Sequence, residues 1–333
     1  MKKESKYKKF NTKWLLNLVG LLILGLVLIR IDINKTWIIL KEFKIIYLIL
    51  AIVLVPLIIG LRAIRWKMIM KDQGINIKLI DCFQIYFVGV FIGQITPGKV
   101  GDIVKVFYVK KKGYSYGKAF VSVVLDRLFD ILTLFFIGYI TLIIFFSFDK
   151  NIQIMITSIG ILIGILSLIL LKIFMKKQLL VKNNGIRNIL KIVYVKILPK
   201  KLKIKLKDNF SEFISDLRNL KLSVLWSAFI ITIFAWTIYF FQIYLLAIGL
   251  GINISYLALM GTFSIATIIT FIPISISGIG TRDATLVLCF GYLGLAGEKA
   301  IALSIMFIIV LVFTCLMGFF TWLKKPIPFK SIK

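Results

Sequence analysis

Two interruptions in otherwise continuous apolar sequence constrain this chain more than any other feature. The first follows an apolar run that ends at Ile95. It reads Thr96-Pro97-Gly98-Lys99-Val100-Gly101-Asp102, continues through a basic turn (Lys110, Lys111, Lys112, Lys118), and leads into a long apolar run carrying Asp126, Arg127 and Asp130. The second is Pro273 followed by Ser275–Gly280, with Arg282 and Asp283 directly behind it. In hydrocarbon every backbone polar group needs an internal partner, so irregular backbone persists there only where protein or water covers it. A charge at mid-bilayer costs at least ~2.5–3.5 kcal/mol, and therefore faces a partner or a water-filled cavity.

Composition decides that hydrocarbon is the right setting. The chain is 60% hydrophobic and 14% aromatic, which places it among polytopic membrane proteins. Its formal net charge of +29 does not point to nucleic acid, because the basic residues gather at the ends of apolar runs, as in positive-inside anchoring against anionic lipid. There is no histidine, which removes Ser-His-Asp triads, His-dependent lipid phosphatases and acyltransferases, and the usual zinc sites. Cys82, Cys289 and Cys315 are scattered without ligand spacing, so neither a metal site nor a disulfide framework is expected. Gly98-Lys99 lacks the spacing of a nucleotide-binding loop, and no cofactor is implied.

The spacing predicts an all-α polytopic membrane protein. A basic tail (1–13) precedes a first span at Trp14–Ile29, read as a retained span, not a cleaved signal. A loop at 30–43 follows, then a second span at Lys44–Leu61, with Arg62, Arg65, Lys67 and Lys71 as a cytoplasmic cluster. Residues 79–109 carry cytoplasm-type charge at both ends, and the piece after the break is too short to cross a core of about 30 Å. That argues for a re-entrant hairpin turning at Pro97–Gly101. Further spans are expected at Ala119–Phe146 and Ile152–Met175, followed by a basic amphipathic segment at 176–221. A span at Leu222–Ile248, a second hairpin at 257–296 entering from the other side, and a last span at Ala300–Leu323 complete the membrane domain (14–323), ahead of a tail at 324–333. The count is about six full spans and two broken hairpins, or kinks in two further spans. Span two, hairpin and span four are echoed in reverse orientation by span six, hairpin and last span. Such inverted repeats with paired broken helices mark transporters that hold substrate at the midplane.

The candidate site residues lie at these breaks. Asp102 and Thr281 stand where half-helices would begin and are read as caps. A half-helix starting inside the membrane points its positive end at the midplane, which suits a phosphate. Lys99, Lys105 and Arg282 add cations nearby. On the long helix Asp126 and Asp130 share a face, and Arg127 is placed to pair with Asp130, leaving one carboxylate over. In this reading Arg127 and Arg282 grip a lipid phosphate, while Asp126 or Asp130 pairs with an ammonium or relays a proton. The bland alternative is that the glycines permit turns and the acids merely cap or pair.

At these residues the chain resembles the lysylphosphatidylglycerol synthase transmembrane family, a flippase-like membrane domain. The resemblance rests on Pro97-Gly98-Lys99-Val100-Gly101-Asp102 with Lys105, on Asp126-Arg127-Leu-Phe-Asp130, and on Ser277-Gly278-Ile-Gly280-Thr-Arg282-Asp283. Aspartate stands at 102, 126 and 283 where the family commonly has glutamate. The resemblance implies headgroup-binding roles for these residues, and a stand-alone member lacking the C-terminal aminoacyltransferase domain of the full-length synthases. It further implies movement of a phospholipid, aminoacylated lipid or polyprenyl-phosphate-type lipid between leaflets of the plasma membrane; the basic residues at both ends of the chain place both termini in the cytoplasm. The expected partners are membrane lipids with an anionic or lipid-linked phosphate headgroup, and a separate lipid synthase. Two rivals stand beside it: a membrane-embedded glycosyl or lipid transferase using Asp32 and Glu42, and a non-catalytic partner of a lipid synthase.

Overall fold

The computed structural model describes residues 13–146, 158 and 221–326. The expected span at 152–175, nearly all of the 176–221 segment, and most of both tails lie outside the described residues. Among the described residues the chain forms ten α-helices, one 3-10 turn and no strand.

Four helices are long and apolar enough to cross a membrane: α3 (Ile45–Asp72), α6 (Tyr116–Phe145), α7 (Leu222–Gly249) and α10 (Gly297–Lys324). At 1.5 Å per residue each spans about 42–45 Å. Ahead of them lie α1 (Lys13–Ile29) and a short α2 (Ile33–Lys41). The loop expected at 30–43 is therefore mostly helical, because Asp32 caps α2 by accepting the Asn34 and Lys35 backbone N–H groups.

The second expected span ends too early in the sequence reading. α3 does not stop at Leu61 but continues eleven residues further, through Arg62, Arg65 and Trp66, to Asp72. It stops where Gly74 takes φ 77° and Ile75 N–H reaches back to the Met70 carbonyl, a left-handed helix end. Charge does not bound this helix; its stop signal is Gln73-Gly74.

Both breaks are hairpins. The first comprises α4 (Leu79–Ile95), the 3-10 turn (Pro97–Ile103) and α5 (Val104–Lys111). Its two ends meet: the Tyr114 hydroxyl accepts the Asn76 N–H and donates to the Asn76 carbonyl, and Lys112 pairs with Asp81 at 2.8 Å. Lys325, at the end of α10, also reaches Asp81, and the Asp72 carboxylate accepts the Lys221 N–H at the start of α7. These groups mark one face of the bundle. The second hairpin comprises α8 (Tyr256–Ile269), a turn, and α9 (Thr281–Tyr292). It enters from the opposite face, where the Lys44 N–H meets the Gly249 carbonyl and the rings of Phe146 and Tyr292 lie 5.7 Å apart.

The hairpin tips touch inside the bundle. Gly98 abuts the Phe271 carbonyl and Pro273, and the Ser277 hydroxyl donates to the Gln94 carbonyl at 2.7 Å. α3 packs along α7 at the centre; α6 packs on α8, and α10 packs on α4. That pattern survives the exchange of α3–α6 for α7–α10.

The turn between α8 and α9 leaves no room for side chains at Gly280, which takes φ 85° and lies against the Gly20 backbone of α1. Substitution Gly280→Ala forces a left-handed L-residue, costing about 1–2 kcal/mol, and overpacks the α1 contact by about 1–3 kcal/mol. The expected outcome is a clearly lower thermal midpoint for the purified protein, read by dye-monitored unfolding. An unchanged midpoint contradicts this account of the turn.

Candidate functional site

Six charged side chains from four elements form an alternating string. Arg65, on α3, sits between Asp130 (2.8 Å) and Asp126 (2.6 Å) on α6. Lys105, on α5, continues from Asp126 (3.1 Å) to Asp102 (2.9 Å), and Asp102 ends at Arg127 (2.8 Å). The order Asp130–Arg65–Asp126–Lys105–Asp102–Arg127 puts every acid against a cation, three of each. Neutral donors complete it: the Tyr86 hydroxyl to Asp126 (2.9 Å), and the Trp236 indole N–H to Asp130 (3.1 Å). Arg65 donates in turn to the Thr232 hydroxyl. Arg65, Lys105 and Asp126 are 0% exposed, so the string tolerates burial because each charge has a partner of opposite sign and a hydrogen bond.

Beside this string lies a cavity of about 100 Å³ at the junction of the hairpin tips, lined from α3, α4, α7, α8, α9 and α10. Among the described residues its charged lining is Arg62, Lys99 and Arg282, with no acid. Each cation rests on an aromatic face. The Arg62 guanidinium lies 4.6 Å from the Trp236 ring and 5.7 Å from Tyr239, Lys99 lies 5.0 Å from Phe271, and Arg282 lies 4.9 Å from Phe307. Arg282 also donates to Asp283 (3.1 Å) and to the Ser304 hydroxyl (2.8 Å). Asp283 in turn accepts from Ser304 and from the Gly280 N–H that opens α9. Trp236 links the two assemblies: its N–H serves Asp130, and its face carries Arg62.

A scan against protein families matches the lysylphosphatidylglycerol synthase TM region over residues 16–318. The chain belongs to that family. It is similar to UPF0104 membrane proteins of three archaea. With that of Pyrococcus horikoshii it is 24% identical over 313 residues, covering 88% of this chain and 90% of the relative. With that of Methanocaldococcus jannaschii it is 26% identical over 271 residues, covering 78% and 79%. With that of Methanothermobacter thermautotrophicus it is 24% identical over 269 residues, again 78% and 79%. No solved structure matches.

Within this family member the residues singled out from sequence divide into two groups. Lys99, Ser277 and Arg282 line the cavity. Asp102, Lys105, Asp126, Arg127 and Asp130 form the string, while Gly98, Gly101, Gly278 and Gly280 shape the two turns that Pro97 and Ser277 help to define. Three expectations need correction. Arg127 reaches across to Asp102 and not along its own helix to Asp130. Neither Asp126 nor Asp130 is left over, because Arg65 takes both. Neither expected cap is a cap: Asp102 is held by Lys105 and Arg127, and the Thr281 hydroxyl pairs with Ser275 at 2.7 Å while Gly280 stands at the helix start.

Arg62 and Arg65 were missed as site residues because charge in an apolar run reads as a membrane boundary. The signal that finds them is the absence of any helix stop before Gly74, which keeps both on α3. Gln94, Gln242, Thr267 and Thr270 also line the cavity, and nothing in their local sequence marks them.

Removing Arg65 strands Asp130 and leaves Asp126 paired to Lys105 alone among the described residues. Breaking a buried pair in this way costs about 3–5 kcal/mol. Arg65→Met is expected to lose most of its monodisperse yield or to drop sharply in thermal midpoint. An Arg65→Met protein as stable as wild type means the string does not hold the helices together.

Proposed function

We propose that this protein moves a phosphate-bearing lipid between membrane leaflets, holding its headgroup in the cavity between the hairpin tips. The observation that carries the reading is a cavity lined by Arg62, Lys99 and Arg282 with no acid among the described residues of its wall. Three like charges facing one space repel one another until an anion sits between them. The two hairpins supply the access. They enter from opposite faces and their tips share this cavity, an arrangement in keeping with an inverted repeat whose halves alternately expose one site. The headgroup would cross inside protein while the acyl or prenyl tails stay in lipid, which avoids leaving polar atoms bare in hydrocarbon.

The face carrying Lys71, Lys112, Lys221 and Lys325 is the more basic, and the positive-inside tendency makes it the cytoplasmic face of the plasma membrane. The transferase reading draws less support, since the Asp32 carboxylate is engaged in capping α2.

Two experiments test this. In proteoliposomes, wild type is expected to translocate labelled phosphate-headgroup lipids. Arg62→Gln and Arg282→Gln, folded but lacking a charged donor, should be slower by about tenfold or more, and Asp32→Asn unchanged. Folded wild type that moves no lipid ends the proposal; loss of activity in Asp32→Asn turns attention to the transferase. Separately, single cysteines at Asn76 and Lys325 should label from the cytoplasmic side, and one at Glu298 from the outside.

A further inference from the structure

The cavity holds more positive charge than a phosphodiester neutralises. Arg282 already has a counter-charge in Asp283. Arg62 and Lys99 form no ion pair among the described residues, where every acid of the neighbouring string is taken by Arg65, Lys105 or Arg127. Two positive charges are thus left facing one small space.

The free donors tell the same story. Nε and Nη2 of Arg62, and Nε of Arg282, are buried without an acceptor. Nε and Nη2 lie along one edge of a guanidinium, the fork that grips two oxygens of one phosphate. Several neutral donors of the wall are already engaged: the Thr270 hydroxyl with the Thr267 carbonyl, Ser277 with the Gln94 carbonyl, and the Gln242 amide with the Ala51 carbonyl. Among the buried unpartnered side-chain atoms described in the wall, the donors are guanidinium nitrogens and the one acceptor is the Gln94 Oε1. Aromatic faces seat all three cations, and of the three Arg282 alone also has a carboxylate partner among the described residues. Ring quadrupoles ease burial of a cation without cancelling its charge, so that charge stays available to a ligand.

We infer that the cavity selects a terminal phosphomonoester. Such a group has three free oxygens and carries about −1.5 to −2 at neutral pH; a phosphodiester has two free oxygens and a single charge. A headgroup bearing an ammonium meets three cations and no acid, and is rejected. This sharpens the proposed function and rests on it: the cargo class is a lipid ending in phosphate, a phosphatidic acid or prenyl phosphate in chemical type.

The test is calorimetric titration of the full chain, in phosphatidylcholine nanodiscs, with short-chain phosphatidic acid, phosphatidylglycerol of the same chains, and inorganic phosphate. Phosphatidic acid should bind more tightly than phosphatidylglycerol by about tenfold, the scale of one charged hydrogen bond. Lys99→Gln should bring that ratio close to one, and Lys99→Arg should keep it. Arg62→Gln should weaken both lipids, with monodispersity on size exclusion confirming that each variant is folded. Equal affinity for the two lipids, lost together in Arg62→Gln, overturns monoester selection and leaves the phosphate cavity standing. A ratio that Lys99→Gln leaves unchanged also overturns it. No binding of either lipid overturns both readings. Inorganic phosphate saturating the site at the same concentration as phosphatidic acid overturns the lipid source and makes the ligand a free anion.

Discussion

Desolvation of charge sets the terms for this bundle. Taking an ionised side chain out of water costs several kcal/mol even after relaxation, and the membrane offers no water to soften the loss. The chain answers in two different ways within one interior. Along α3, α5 and α6 and the first turn, acids and cations alternate so that Arg65, Lys105, Arg127, Asp102, Asp126 and Asp130 neutralise one another. Nearby, Arg62, Lys99 and Arg282 face a cavity with no acid among its described lining residues, seated on Trp236, Phe271 and Phe307. In the first arrangement each charge is paired with one of opposite sign. In the second, Arg62 and Lys99 have no ion pair among the described residues, while Arg282 pairs with Asp283.

The hairpins follow from the same constraint. Backbone that leaves a helix inside a membrane needs cover, and each turn is covered by the other: Gly98 against Phe271 and Pro273, Ser277 against Gln94. Thr96 supports the first turn from within, donating to the Ile92 and Gly93 carbonyls and accepting the Gly101 N–H. The tips are therefore both the least regular and the most interdependent backbone in the described structure. A cavity placed between them borders two elements whose ends reach opposite faces.

Much of this was readable in advance. Apolar run lengths gave α6, α7 and α10 within a few residues, and the paired Gly/Pro breaks gave both hairpins, because hydrophobic length and backbone chemistry act locally. Three charges on one apolar helix point to partners inside the protein, and Asp126, Arg127 and Asp130 each have one. Their partners were not readable. Helical spacing favours Arg127 with Asp130, but the tertiary alternative, Asp102, sits 2.8 Å away and leaves Asp130 to Arg65 and Trp236. Local spacing loses there because a second helix brings a better-placed charge.

The sequence by itself determined that this is a helical membrane protein with two broken hairpins and costly charges at their turns, for those properties depend on composition and on residues near one another in the chain. Only the tertiary structure decided which charges pair with one another and which face the cavity. Arg62 and Arg65 lie three residues apart on one helix, yet Arg65 meets two aspartates while Arg62 meets an aromatic face and a cavity. Which cation finds a counter-charge is fixed by how α3 packs against α6 and α7, and that contact is made by residues far apart in the chain.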